Sequence, residues 1–107
     1  SEDKIDAVTA LSGSGPAYLF YFIEAMVKAG VELGLTDEIA TKLAIETISG
    51  SAAMLKESNL DAATLRKNVT SPKGTTAAAL EVFSASNLEN IIFKAMSAAK
   101  SRAQELA

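Results

Sequence analysis

The stretch Ser71-Pro72-Lys73-Gly74-Thr75-Thr76 is where this chain offers most to a ligand. A proline pushes the residue before it out of helical geometry, so Ser71-Pro72 ends the helix that precedes it. Gly74 supplies a backbone position without a β-carbon, free to take positive φ or to let a ligand come close. Thr75 and Thr76 then place hydroxyls and unpaired amides at a helix start, where the partial positive charge favours an anion. Lys73 adds a full positive charge. Together these residues would hold a small carboxylate or phosphate on the Gly74, Thr75 and Thr76 amides and the Ser71 hydroxyl. They also read as an ordinary helix cap, because Ser and Thr begin helices everywhere.

Other chemistry is largely excluded. The 107 residues contain no His and no Cys, so disulfides and the commonest metal and acid–base ligands are absent, and no metal site is expected. A formal net charge of −3 gives no basic footprint for nucleic acid. The apolar run from Ala17 to Ile23 falls far short of the ~20 residues that a membrane span needs. The chain begins at Ser1 rather than Met, which reads as a segment of something longer, and its length suits one domain with one core.

The elements that must position the loop are helical. Hydrophobic residues make up 49% of the chain and aromatics only 6%, with 20 alanines, a composition for closely packed helices rather than sheets. A short helix is expected over Lys4–Leu11, then a small-residue loop, Ser12 to Pro16, with Ser14 as cap and the proline in a helix first turn. From Pro16 to about Leu33, Glu24, Lys28 and Glu32 form one narrow polar stripe, and the remaining circumference is apolar. A helix so apolar needs burial on more than one side, which points to a second copy of the chain. Gly34 ends that helix and Thr36 caps the next, expected to run to about Glu57 with Ile39, Leu43, Ile45, Ile48 and Leu55 inward. Asp61 caps a short helix from Ala62 to about Asn68. Thr75 or Thr76 begins a helix through about Phe83. Asn87 caps the last, whose apolar stripe is Leu88, Ile91, Ile92, Ala95, Met96 and Ala99. The fold class is all-α, five or six helices.

Two motifs carry a resemblance. The stretch Asp6-Ala7-Val8-Thr9-Ala10-Leu11-Ser12-Gly13-Ser14-Gly15-Pro16-Ala17-Tyr18 and the stretch Val69-Thr70-Ser71-Pro72-Lys73-Gly74-Thr75-Thr76 closely resemble the C-terminal domain of pyrroline-5-carboxylate reductases. The likeness runs from Asp6 to the final helix. It implies a helical domain of the 6-phosphogluconate-dehydrogenase C-terminal kind that forms an intertwined homodimer, often assembled further into a decamer. It also implies a preceding Rossmann domain for NADPH or NADH and a cytoplasmic enzyme of proline biosynthesis. In such an enzyme hydride passes to the imine carbon of 1-pyrroline-5-carboxylate and gives proline.

For the loop, the resemblance implies that Ser71, Gly74 and Thr75 contact the substrate carboxylate and that the Thr76 hydroxyl bonds the ring nitrogen, making Thr76 the catalytic candidate. It also implies that Ser12 and Ser14 line the cleft near the nicotinamide. The Gly13-Ser14-Gly15 stretch is not itself a dinucleotide fingerprint, since no strand precedes it and Tyr18 stands where the third small residue belongs. One departure concerns Lys73, where the family usually has Gly, and a side chain pointing into solvent is expected there. A related hydroxyacid or imine dehydrogenase domain fits less well, because Lys28 and Lys42 lie on faces that solvation explains. A helical interaction module without chemistry would share the composition and the apolar second helix.

Overall fold

The computed structural model describes all 107 residues and contains helices and turns only. Helix α1 (Glu2–Val8) passes without a break into a π-helical turn, Thr9–Gly13, and α2 (Gly15–Glu32) follows after the single residue Ser14. Then come α3 (Asp37–Ser58), α4 (Ala62–Asn68), α5 (Thr75–Ala85) and α6 (Leu88–Leu106). The all-helical expectation holds, and the boundaries of α2 to α5 fall within two residues of those read from the sequence. The stretch Ser12 to Pro16, expected as a loop, instead lies in the π turn and the start of α2.

Local chemistry explains the starts and stops. Thr36 caps α3 by accepting from the Ile39 amide at 3.2 Å, and Asp61 caps α4 by accepting from the Thr64 amide at 2.8 Å. Gly34, at φ 113, closes α2. The Leu35 amide reaches back to the Gly30 carbonyl and the Gly34 amide to the Val31 carbonyl, which satisfies two otherwise orphaned acceptors. Ser14 and Asn87 stand at cap positions, yet neither side chain makes a capping hydrogen bond. Asn87 contributes its left-handed backbone, φ 58, which turns the chain from α5 into α6.

Helix α2 packs along α3, while α1 and the π turn lie against α6, with α5 alongside. The first contact is close because it is made of small residues. A β-carbon on Gly30 would sit only 3.2 Å from that of Ala40. Lys100 on α6 pairs with Asp3 on α1 at 2.8 Å and ties the second group together.

Very little of this is covered. Only Ala10, Ala40 and Ala44 are buried, and the accessible surface is 8566 Å². A monomeric protein of 11.1 kDa ordinarily exposes about 5,700 Å². The radius of gyration, 16.2 Å, likewise exceeds the ~13 Å of a compact domain this long. Four of the residues expected inward on α3, Ile39, Leu43, Ile45 and Leu55, are about half exposed, and only Ile48 is substantially covered. On α6, Ile91 and Ile92 stay exposed while Leu88, Met96 and Ala99 are half-buried. The inward-facing stripe of α3 within one subunit is the alanine stripe. Its larger apolar residues face outward together with Phe20 and Tyr21 of α2. Apolar surface on that scale is characteristic of a subunit interface.

Candidate functional site

The loop between α4 and α5 brings Ser71, Gly74, Thr75 and Thr76 together at one helix start. Its path is set by two backbone choices. Lys73 takes the left-handed conformation at φ 63, whereas Gly74 is extended at φ −84 and ψ −176. Positive φ therefore falls on the lysine and not on the glycine. Gly74 is required for room: a β-carbon there would lie 2.5 Å from the Ser71 hydroxyl oxygen and 3.2 Å from the Ser71 carbonyl oxygen. Contacts that short do not occur without displacing a neighbour, so residue 74 and the Ser71 hydroxyl occupy adjoining space by design of the turn.

The donors at this helix start are free of protein acceptors. The Gly74 amide donates to the Ser71 carbonyl at 3.1 Å and closes the turn, so it is not one of the free donors expected from the sequence. The amides of Thr75, Thr76 and Ala77 have no acceptor in the subunit, and the first bond of α5 runs from the Ala78 amide to the Gly74 carbonyl at 3.2 Å. Ala77 is thus a donor that residue-type reasoning missed. Counting three residues from the helix start finds it, once Gly74 is known to be the cap.

The hydroxyls show the same pattern. Of eight threonines, six engage protein partners: the hydroxyls of Thr9, Thr41, Thr47 and Thr70 each donate to an acceptor four residues back, Thr36 caps α3, and Thr64 bonds Asp61. Thr75 and Thr76 are the two whose hydroxyls bond nothing in the subunit, and the Ser71 hydroxyl is likewise unbonded. Three amides and three hydroxyls at one helix N-terminus are thus without protein partners. Unbonded donors grouped at a helix start suit an acceptor-rich anion such as a carboxylate.

The charges nearby agree in sign. Between Asp61 and Glu81 the charged residues are Arg66, Lys67 and Lys73, all basic, in a chain whose net charge is −3. The site faces outward and has one wall. Of the two larger hollows one runs past Arg66, Leu80 and Glu81 and the other lies between α2 and α3, a smaller one passes Thr70 and Lys67, and none of the three is lined by Ser71, Gly74, Thr75 or Thr76.

Ser12 and Ser14 lie elsewhere. The π turn that holds Ser12 packs against α1, α2 and α6, and the Ser12 hydroxyl donates to the Val8 carbonyl at 3.1 Å. Ser14 is half-buried at the start of α2 with its hydroxyl unbonded. What fixes this junction is Tyr18, whose hydroxyl donates to the Ala10 carbonyl at 2.8 Å. The subunit does not bring Ser12 and Ser14 against the α5 start.

Fold and site together define an all-helical oligomerisation domain with an exposed helix start whose first amides and hydroxyls are unbonded. The chain belongs to the family described as "Pyrroline-5-carboxylate reductase dimerisation", whose model matches residues 2–106. It is 49% identical over 106 residues to a pyrroline-5-carboxylate reductase of Pseudomonas aeruginosa, covering 99% of this chain and 39% of the relative. The corresponding protein of Mycobacterium leprae is 46% identical over 122 residues, covering 98% of this chain and 42% of the relative.

Among solved structures, a pyrroline-5-carboxylate reductase from Coxiella burnetii superposes with a TM-score of 0.96 at 47% identity, over 100% of this chain and 40% of that one. A Plasmodium falciparum pyrroline carboxylate reductase with NADP bound superposes with a TM-score of 0.93 at 36% identity, over 98% of this chain and 40% of that one. The chain spans about two fifths of the length of these relatives.

Proposed function

We propose that residues 1–107 are the dimerisation and substrate-carboxylate domain of an enzyme that reduces 1-pyrroline-5-carboxylate to L-proline with NADPH or NADH. A Rossmann domain preceding this chain would bind most of the cofactor. One observation carries the reading: the Thr75, Thr76 and Ala77 amides and the Ser71 hydroxyl stand unbonded beside a glycine that leaves them room. Family membership favours the carboxylate of 1-pyrroline-5-carboxylate as the anion they meet.

In this reading Ser71, Gly74 and Thr75 hold the substrate carboxylate, with the Ala77 amide as a further donor. Anchoring the acid group fixes the five-membered ring, and the Thr76 hydroxyl then orients the ring nitrogen. Such positioning converts an encounter into an aligned pair and supplies much of the rate. The nicotinamide supplies the hydride that reduces the imine carbon. With no His or Cys in the chain and no carboxyl group between Asp61 and Glu81, the loop's one ionisable side chain is the exposed Lys73, so in this reading the imine binds already protonated and Thr76 only orients it. Ser14, with its unbonded hydroxyl, fits a polar edge of a nicotinamide. Ser12 fits as an acceptor, since its proton is engaged by Val8.

The exposed apolar faces of α2 and α3 are the surface of a homodimer, with a decamer as the larger assembly. No helix is long and apolar enough to cross a membrane. The chain alone, lacking a βαβ unit, is inactive.

Replacing Thr76 with Ala in the full-length enzyme tests the assignment. A fall in kcat/KM of about tenfold or more is expected, since one lost oriented hydrogen bond to a charged group is worth ~1.5–3 kcal/mol. Unchanged turnover removes Thr76 from the chemistry. Proline should also raise the melting temperature of the full-length enzyme and fail to do so when Ser71 is replaced. Indifference of the wild type to proline would leave only a packing domain.

A further inference from the structure

We propose that Lys67 and Lys73 form an electrostatic approach that draws free carboxylate anions to the start of α5. The inference rests on the carboxylate reading of that site. Lys73 lies between Ser71 and the unbonded amides, it is exposed, and it has no acidic partner. Lys67, in the last turn of α4, borders the shallow hollow formed with Thr64, Thr70 and Leu80, and no acidic residue lines that hollow. The ion pairs of the subunit are Lys100 with Asp3 and Arg102 with Glu105, so both lysines keep their full charge toward solvent. Arg66 differs. It also borders the wider hollow that holds Glu81 and Glu89, whose charges offset its field.

Unpaired charges of one sign beside a binding site raise the local concentration of an oppositely charged ligand, and salt removes the effect. The amides and hydroxyls hold a carboxylate at contact distance, whereas the two lysines act before contact. Their influence therefore depends on the net charge of the ligand. A ligand whose carboxylate is balanced by a ring cation gains little, and one that carries the carboxylate alone gains most.

The test compares proline, of net charge zero, with tetrahydrofuran-2-carboxylate, which keeps the ring and the acid but lacks the cationic nitrogen. Dissociation constants for the full-length enzyme are measured by calorimetry at about 10 mM and about 300 mM salt, where the screening length falls from about 30 Å to about 6 Å. The wild type should lose roughly 3- to 10-fold in affinity for tetrahydrofuran-2-carboxylate across that range and less than about 2-fold for proline. The K67Q/K73G protein should lose less than about 2-fold for either ligand, and R66Q should keep the wild-type dependence. The reversed charge of K73E, an independent variant if the double one folds poorly, should flatten the dependence to about the same degree, because it offsets the charge of Lys67. Equal salt dependence in wild type and variants overturns the steering role alone. Failure of the wild type to bind either ligand overturns the carboxylate site and this inference with it.

Discussion

The Ser71 hydroxyl oxygen lies 2.5 Å from the point where a β-carbon on residue 74 would stand. Serine and glycine thus share one small volume, and the backbone of Gly74, at φ −84, is open to any residue. A Gly74→Ala substitution therefore leaves the helix start intact and pushes the hydroxyl aside. We expect proline affinity of the full-length enzyme to fall about tenfold, ~1.4 kcal/mol, with little change in melting temperature. A large loss of stability with binding retained would show that the glycine serves the fold instead.

Lys73 carries the loop's only left-handed φ, 63°, a conformation that costs a side-chain-bearing residue ~1–2 kcal/mol and glycine almost none. Lys73→Gly should stabilise the protein by up to about 1 kcal/mol, the greater freedom of glycine in the unfolded chain cancelling part of the gain. Lys73→Ala removes the same charge but keeps the β-carbon, so it should give no such gain. Chemical denaturation of the two variants side by side decides, and equal stability refutes the backbone explanation.

Tyr18 reaches back eight residues to the Ala10 carbonyl inside the π turn. Tyr18→Phe keeps the ring and removes the hydrogen bond, leaving a buried residue's carbonyl unpartnered. A cost of about 1–3 kcal/mol is expected. Hydrogen exchange should quicken first at the junction of α1 and α2. Unchanged protection there would mean that the π turn stands without the tyrosine.

Asp61 gives a pH signature. The Thr64 hydroxyl and then the Thr64 amide bond its carboxylate and hold its pKa below the ordinary 3.8. Because the folded-state value is the lower one, this cap contributes in full above the ordinary value. It is lost as pH falls through the folded one. In an acid titration, protection of the Thr64 amide should decline below about pH 4 in the wild type. Asp61→Asn caps without titrating, so its decline should be absent or much shallower. An identical acid response in Asp61→Asn would assign the loss to other carboxylates.

Helix starts and stops were legible in the residues that cause them. Thr36, Asp61, Gly34 and the Ser71-Pro72 break all act within a few residues, and local chemistry decides them. The junction from Ser12 to Pro16 was not legible. Its small residues read as a loop, whereas the π turn there is completed by Tyr18, which no local rule connects to Ala10. The inward face of α3 was misjudged for a different reason. Periodicity identifies a stripe that wants burial, and Ile39, Leu43, Ile45 and Leu55 do form one, but it does not say whether the cover comes from the same chain. The alanines at 40 and 44, weak signals by hydropathy, turned out to be the intramolecular contact. At the candidate site the residue types were readable and the donor assignment was one residue out. Which amide closes the turn depends on the left-handed Lys73, a lysine where glycine is the natural choice.

The three buried alanines bear on how the protein comes into being. An interior made of methyl groups gives a lone subunit almost nothing to hold its helices in place, so acquiring shape and acquiring a partner are one event in the proposed dimer. Two finished dimers would then trade protomers only by melting. A cell making two versions of this protein would accordingly mix them during synthesis, and seldom afterwards.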